Sequence, residues 1–271
     1  MAGLEGLSKA AAGPSARRIA AALPVHAIVS FGALAVVWEI VAQFTPPYLF
    51  PDLRLILKAL VNIFTTWDLL LQGLITWSRL IGAVLASLVI GVPIGVAMGL
   101  WPGLDAYVRP VVKFIMGVPA LNWVIIVIIW FTATEVRIGF VMLVLATPIT
   151  IFTVYDGVRA IDQKLIDMVK TFGAGAWHMI RILVWPYVTA QAFTATKINV
   201  GVGVRTVIVA ELVGASSGIG KELDLAKNMF DMPVVLAWTL WMIVMLLVLQ
   251  ALIEALERRV LRWRVEEGGK T

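Results

Sequence analysis

Six long apolar stretches, separated by more polar connections, constrain this chain more than any other feature of its sequence. A helix needs about 20 mainly apolar residues to cross the roughly 30 Å hydrocarbon core of a bilayer. The stretches that approach or exceed this length are residues 23–44, 73–100, 108–131, 138–155, 188–214 and 233–256. Hydrophobic residues make up 61% of the chain and charged residues 14%, against about half and about a quarter in soluble domains. The sequence therefore predicts an all-α integral membrane protein with about six transmembrane helices.

The distribution of Lys and Arg predicts the orientation of these helices. With both chain ends inside, thirteen basic residues lie in cytoplasmic segments and five in outer connections. Because basic residues resist translocation, we expect cytoplasmic tails at residues 1–22 and 257–271 and a transmembrane domain at residues 23–256. Residues 53–71 follow a proline-rich break and are amphipathic, which favours an interfacial position on the outer side. The net charge of +5 fits this pattern, and no basic stripe with interleaved aromatics indicates nucleic-acid binding.

The chain lacks the residues that several functional classes require. The chain has no cysteine and two histidines, so we expect no disulfide and no metal site. An integral-membrane enzyme is not supported, because neither a Ser/His/Asp set nor paired catalytic carboxylates are recognisable. The phosphate-binding pattern G-x-x-x-x-G-K-[ST] is also missing, so any ATP energy would have to come from another chain.

The connection at residues 156–187 is long, and the charge distribution predicts that it is cytoplasmic. Its sequence pattern predicts helices instead of an irregular loop. Asp162 is a suitable N-cap, and the apolar residues that follow recur at helical spacing on one face that can dock against another surface. Gly173 and Gly175 end this helix, and a second helix is predicted to stop before Pro186. A helix, a glycine break and a helix between two spans form a candidate socket for another protein.

This segment resembles the cytoplasmic coupling loop of permease subunits in ATP-binding-cassette (ABC) importers. That loop carries an acidic residue and two alanines, a glycine after three more residues, and a distal Ile-x-x-x-Pro. The matching residues here are Asp167, Met168, Val169, Gly173, Ile182 and Pro186, with the alanine pair replaced by bulkier side chains.

Further motifs occur in the order typical of permeases for nitrate, sulfonates, taurine and related compounds. They are Trp77-Ser78-Arg79-Leu80-Ile81-Gly82, Gly91-Val92-Pro93-Ile94-Gly95, Arg109-Pro110, Val118-Pro119, Trp130-Phe131 with Glu135, Gly157-Val158-Arg159 and the run from Ala210 to Gly220. Together with the loop they extend over roughly residues 38–263. The chain is therefore identified by resemblance as a member of this permease family.

The resemblance implies a type I importer-like fold in a bacterial inner membrane. It also implies a transporter whose functions are divided among several subunits. The chain would bind no cofactor itself, while partner ATPase subunits would bind ATP and Mg²⁺. A second permease copy, most simply as a homodimer, and an extracytoplasmic substrate-binding protein would complete the assembly. The residues that would couple to the ATPase are Asp162, Leu165, Asp167, Met168, Val169, Phe172, Gly173 and Pro186.

Charged and polar residues inside the spans are candidates for a translocation path. Lys197, Gly201 and Arg205 recur at four-residue steps, which places both cations on one helix face, and relatives usually carry an apolar or aromatic residue at the last position. We hypothesise that Arg205 contacts an anionic substrate, with interhelical pairing as the alternative. Asn122 and Trp123 could shape the same path, or could only bond and pack between helices.

Two other span features have structural interpretations. Arg79 and Glu211 are expected to form an ion pair or to reach the interface. Gly91, Gly95 and Gly99 at four-residue steps favour close helix packing.

The resemblance favours small anions such as nitrate, sulfonates, taurine or bicarbonate as cargo. Relatives also carry vitamin precursors and aromatic compounds, so the cargo stays open. The alternative function is a secondary transporter or channel without an ATPase, which would need ion-coupling residues near the membrane midplane.

Overall fold

A computed structural model describes residues 15–173 and 175–261, and helices account for almost all of this part of the chain. The predictions for the outermost parts of the two tails, residues 1–14 and 262–271, lie outside the described residues. The helices are α1 (Ser15–Gln43), α2 (Leu53–Thr65), α3 (Trp67–Leu100), α4 (Pro102–Gly117), α5 (Ala120–Trp130), α6 (Thr134–Arg159), α7 (Gln163–Thr171), α8 (Ala176–Met179), α9 (Trp185–Leu212), α10 (Ile219–Asn228) and α11 (Met232–Val260).

Among the described residues, four apolar helical segments are long enough to cross a membrane by themselves. They are α3, α6, the continuous segment Trp177–Leu212 that includes α9, and α11. The bent pair α4 and α5 makes up to a fifth span, and α1 contains the shorter apolar segment Ile28–Gln43. This confirms the predicted all-α membrane fold.

The predicted continuous span at residues 108–131 is wrong in its geometry. The chain breaks between α4 and α5, and the two helix axes meet at 93°. Pro119 has no N–H to donate and disfavours a helical conformation for the residue before it, so Val118 is extended at φ −82° and ψ 124°. The break therefore follows directly from Val118-Pro119.

The centre of the bundle is formed by α3, α6 and α9. Glycines at four-residue steps bring α3 against α6, as the sequence predicted. A Cβ atom would lie 2.7 Å from the Thr150 side chain at Gly91, 2.6 Å from the Ile151 carbonyl oxygen at Gly95 and 2.6 Å from the Val158 side chain at Gly99. Only glycine allows the two backbones to approach this closely.

The amphipathic segment after the proline-rich break forms α2, which begins with an Asp52 cap on the Leu55 N–H at 2.8 Å. Its buried Ile63 packs with Trp238 and Trp241 of α11. Its opposite face, which includes Leu57 and Val61, is exposed. This two-sided helix fits the predicted interfacial position, with one face on the bundle.

Candidate functional site

The helix predicted at the start of the connection 156–187 is present as α7. The Asp162 carboxylate accepts a hydrogen bond of 2.9 Å from the Lys164 N–H, close to the helix start. Gly173 follows the helix at φ +73°, a left-handed conformation that favours glycine. No atom lies within 4 Å of a Cβ built there, so Gly173 is required for its backbone conformation and not for a close contact.

The apolar residues of α7 divide between two faces. Leu165 and Ile166 pack against a buried cluster of the chain's own helices at the inner end of the bundle. Met168 and Phe172 are exposed, Phe172 to 84%. Asp167 is exposed and accepts a hydrogen bond of 3.0 Å from Gln163 Nε2. The inward face therefore fixes α7 to the bundle, and the outward face offers a methionine, an aromatic ring and a carboxylate to solvent.

The prediction that a helix stops before Pro186 is wrong. The chain stays helical from Ala176 to Leu212, and a π-helical turn at Ile180–Val184 precedes Pro186. The Trp185 N–H donates to the Ile180 carbonyl, five residues back. Proline has no N–H, and a single wide turn redistributes the backbone bonds without breaking the helix. The part of the loop from Ala176 onward is therefore continuous with α9, whereas α7 is separated from it by the turn around Gly173.

The predicted path residues on α9 have different surroundings. Arg205 is exposed, on the same face as the exposed Ile198, Val202 and Val209. Lys197 instead forms an ion pair with Glu257 near the inner end of α11. A Cβ at Gly201 would meet no atom within 4 Å, so this part of the helix surface is open. The structure therefore separates Arg205, which has no ion-pair partner among the described residues, from a paired Lys197.

Asn122 and Trp123 lie in the first turn of α5, just after the bend at Pro119. Asn122 is exposed, whereas Trp123 is partly buried against the main core cluster. The buried Trp123 Nε1 has no hydrogen-bond partner among the residues described. The pair thus sits where the third span changes direction, one side chain outward and one inward.

The outer end of the bundle holds an ion network that we call the outer polar cluster: Arg79, Glu135, Glu211 and Ser217. Arg79 Nη1 donates to Glu211 Oε1 at 2.6 Å and to the Ser217 carbonyl at 2.9 Å, and Nη2 donates to Ser217 Oγ at 2.8 Å. Arg79 also forms a two-pronged pair with Glu135, in which Nε lies 2.9 Å from Oε2. The Glu211 side chain is 0% exposed and that of Glu135 66%. The predicted Arg79–Glu211 ion pair is therefore present.

The chain after α9 wraps around the buried Glu211 carboxylate. The Gly220 N–H donates to it at 2.9 Å, and the Thr76 hydroxyl donates to it at 2.9 Å. A Cβ at Gly218, which has φ +103°, would lie 2.5 Å from Glu211 Oε1. Gln72 accepts from the Gly218 N–H at 2.7 Å, so one face of α3 holds this loop. This network connects the motif that contains Arg79 to the run from Ala210 to Gly220.

Sequence reasoning missed a polar cluster in the core between α3, α6 and α9. Asn199 Nδ2 donates to Thr150 Oγ1 at 2.9 Å, to Ser87 Oγ at 3.3 Å and to the Ala146 carbonyl at 3.2 Å. All three polar side chains are buried. The signal available in the sequence was a serine, a threonine and an asparagine inside otherwise apolar spans, each of which needs a partner there.

Within the part of the chain that the structure describes, no group of three or more His, Cys, Asp or Glu side chains could hold a metal ion. The candidate site is therefore built from the loop that contains α7, an open face of α9, the outer polar cluster and the polar cluster in the core.

Comparison with known proteins gives consistent matches. Residues 87–262 match the family described as "Binding-protein-dependent transport system inner membrane component". The chain is 29% identical over 252 residues to the taurine transport system permease protein TauC of Escherichia coli, covering 88% of this chain and 90% of that protein. It is 26% identical over 161 residues to the riboflavin transport system permease protein RibX of Chloroflexus aurantiacus, covering 59% and 60%.

The fold also resembles a solved structure. A chain of the MetNI methionine ABC transporter, in an inward-facing conformation, matches with a TM-score of 0.59 and 21% identity. The match covers 72% of this chain and 95% of that one. At this identity the similarity shows a common fold.

Proposed function

This chain belongs to the family of binding-protein-dependent transport system inner membrane components and is a multi-pass inner-membrane permease of an ABC importer. We propose that it forms the path for a small anionic solute. The solute would be delivered by an extracytoplasmic binding protein. Partner ATPase subunits would bind ATP and Mg²⁺ and supply the energy. This chain would contribute the conduit and the socket through which that energy arrives.

The observation that carries the proposal is the two-faced helix α7. Its inward face is fixed to the bundle through Leu165 and Ile166, while Met168 and Phe172 are exposed. Large apolar side chains exposed on the water side of a membrane protein are typical of a contact with another protein. We therefore assign Asp167, Met168 and Phe172 to the ATPase contact, with Asp162, Val169, Gly173 and Pro186 shaping the loop.

The anionic character of the solute is inferred from Arg205. A cation inside a membrane-spanning helix is costly, and it is found facing a partner, a cavity or a water-filled path. Arg205 lies on an open face of α9, and Lys197 on the same helix is already neutralised by Glu257. A second copy of the chain placed against this face would enclose Arg205 in a path between the two permeases. An arginine suits oxyanions, because its planar fork can donate two parallel hydrogen bonds to one carboxylate, phosphate or sulfonate group.

The relatives support a sulfonate as the first solute to test. One similar permease is named for taurine, which carries an anionic sulfonate beside an ammonium group at neutral pH, and another for riboflavin, which carries neither charge. Asn122 and Trp123 at the bend of the third span could line the same path and discriminate among solutes by shape.

The test is ATP-driven uptake of radiolabelled taurine in proteoliposomes that contain the permease, its ATPase and its binding protein. Arg205→Gln should raise KM or lower the rate at least about tenfold, since hydrogen bonds to charged groups contribute about 1.5–3 kcal/mol. Arg205→Lys, which keeps the charge, should retain more activity. Lys113→Gln removes another exposed cation, from α4, and is the matched control. Unchanged uptake by Arg205→Gln would contradict the anion assignment.

A further inference from the structure

A second polar cluster lies at the inner end of the bundle, where α4 meets α6. We call it the inner junction: Asp105, Arg109, Tyr155 and Arg159. Arg109 holds Asp105 with two bonds, Nε to Oδ1 at 2.9 Å and Nη2 to Oδ2 at 2.6 Å. The same Nη2 also donates to the Tyr155 hydroxyl. The cluster therefore joins a side chain of α6 to an ion pair on α4.

Tyr155 is the centre of this junction. Its hydroxyl lies 3.3 Å from Asp105 Oδ2, to which it can donate, and accepts from Arg159 Nε at 3.3 Å. The Arg109 guanidinium carbon lies 4.8 Å from the centre of the tyrosine ring and that of Arg159 lies 5.9 Å from it, within reach of cation–π attraction. Tyr155 is only 7% exposed. Its hydroxyl therefore has charged partners from both helices in a mainly buried position.

The position of Tyr155 in the chain connects it to the docking loop. Its neighbours Val154 and Val158 belong to the inner cluster against which Leu165 and Ile166 of α7 pack. Arg159 is the last residue of α6, and α7 begins at Gln163. A displacement of α7 therefore acts on the same turn of α6 that carries Tyr155.

On its other side the junction holds α4, which leads to the bend at Val118-Pro119 and to α5. Apolar contacts also attach α4, because Val112 packs with Met98 and Ile151. Apolar burial is not directional, whereas hydrogen bonds are, so bonds from one hydroxyl can set the orientation of the helix more narrowly than the apolar contacts do. The polar bonds at Tyr155 are thus suited to orienting α4.

We propose that Tyr155 is a positioning residue that carries the movement of the docking loop to α4 and α5, and so to the bend next to Asn122 and Trp123. The proposal rests on the proposed function, since it requires an ATPase acting through α7. It adds a mechanical route: α7 moves the end of α6, Tyr155 turns the Asp105–Arg109 pair, and α4 moves α5 about the bend.

The experiment compares ATP hydrolysed with taurine transported in proteoliposomes containing the permease, ATPase and binding protein. Tyr155→Phe keeps the ring and removes only the hydroxyl bonds. We expect the ATP cost per solute to rise by about two- to thirtyfold, the range for residues along a coupling route. ATPase association and thermal stability should stay near wild type. Tyr107→Phe, on the exposed side of α4, is the matched control and should change nothing.

Asp105→Asn provides an independent arm, because it removes the charge that receives the tyrosine hydroxyl bond. Its effect and that of Tyr155→Phe should not add in the double variant, since both break one link. The proposal is overturned if Tyr155→Phe keeps the wild-type ratio, or if uptake and hydrolysis fall in proportion, as for a purely structural role. Failure of the proposed function is distinguishable, because the wild-type complex would then show no ATP-driven uptake at all.

Discussion

The outer polar cluster gives the sharpest stability prediction, because one cation joins a buried carboxylate and an exposed one. Arg79→Gln removes the partner of Glu211, whose side chain is fully buried, and also releases the Ser217 carbonyl and hydroxyl. Removing one member of a buried ion pair costs about 3–5 kcal/mol, since the remaining charge loses its compensation. For a chain of this size about 2 °C of melting temperature corresponds to 1 kcal/mol, so we expect a fall of about 6–10 °C.

The exposed ion pair of the same cluster, between Arg79 and Glu135, should contribute far less to the stability. Glu135→Gln breaks the other pair of Arg79, but the Glu135 side chain is 66% exposed. Exposed pairs contribute about 0–1 kcal/mol, so its melting temperature should fall by no more than about 2 °C. Lys227→Gln, which breaks an exposed pair with Asp224, is a control outside the cluster. Its melting temperature should fall no more than that of Glu135→Gln.

The assay is thermal unfolding of the purified permease in detergent at one fixed heating rate, followed by tryptophan fluorescence. The fixed rate matters because unfolding of membrane proteins is often irreversible. A double variant, Arg79→Gln with Glu211→Gln, should be less destabilised than the sum of its single changes, because the two residues interact directly. The reasoning is refuted if Arg79→Gln melts within about 2 °C of wild type, or if Glu135→Gln is equally destabilised.

Two further predictions concern glycines and use the same assay. Gly95→Ala should destabilise by about 1–3 kcal/mol, because its Cβ would lie 2.6 Å from the Ile151 carbonyl oxygen, whereas Gly82→Ala on the same helix meets no atom within 4 Å and should be neutral or slightly stabilising. An equal effect of the two changes would contradict the close packing of α3 on α6. Gly218→Ala should lower the free energy of unfolding by about 1–3 kcal/mol through backbone strain alone, because the left-handed conformation is strained for alanine. The Cβ would also lie 2.5 Å from Glu211 Oε1, which adds to this cost. A melting temperature unchanged by Gly218→Ala would show that the loop does not enclose the carboxylate.

Local patterns predicted the membrane fold and the presence of helix α7 well. The apolar lengths indicated most of the spans, and Asp162 and Gly173 marked the limits of α7 within two residues. These features depend on neighbours in sequence, such as a capping carboxylate or a backbone that needs positive φ. The close packing at Gly91, Gly95 and Gly99 was also predictable, because small residues at four-residue steps have few other uses in a membrane helix.

Features that depend on distant residues were harder to predict. The pattern around Pro186 predicts a helix stop, and the π-helical turn that accommodates the proline has no sequence signal of its own. The bend at Val118-Pro119 carried a local signal, but hydropathy averaged over the stretch concealed it. The partner of Lys197 lies sixty residues away at Glu257, and the faces of α7 could be separated only once the bundle was in place. Tertiary contacts decide such points, and a single sequence does not contain them explicitly.

The central claim is that an ATPase drives this permease through the exposed face of α7. The direct measurement is co-purification of the cognate ATPase subunit with the tagged permease from membranes, with the dissociation constant then measured in detergent. We predict that the wild-type permease retains the ATPase and that Phe172→Ala weakens binding by about thirtyfold, the equivalent of a 2 kcal/mol interface anchor. Phe114→Ala, an exposed aromatic on α4, should bind like wild type. Failure of the wild-type permease to bind the ATPase, or equal binding by Phe172→Ala, would contradict the account.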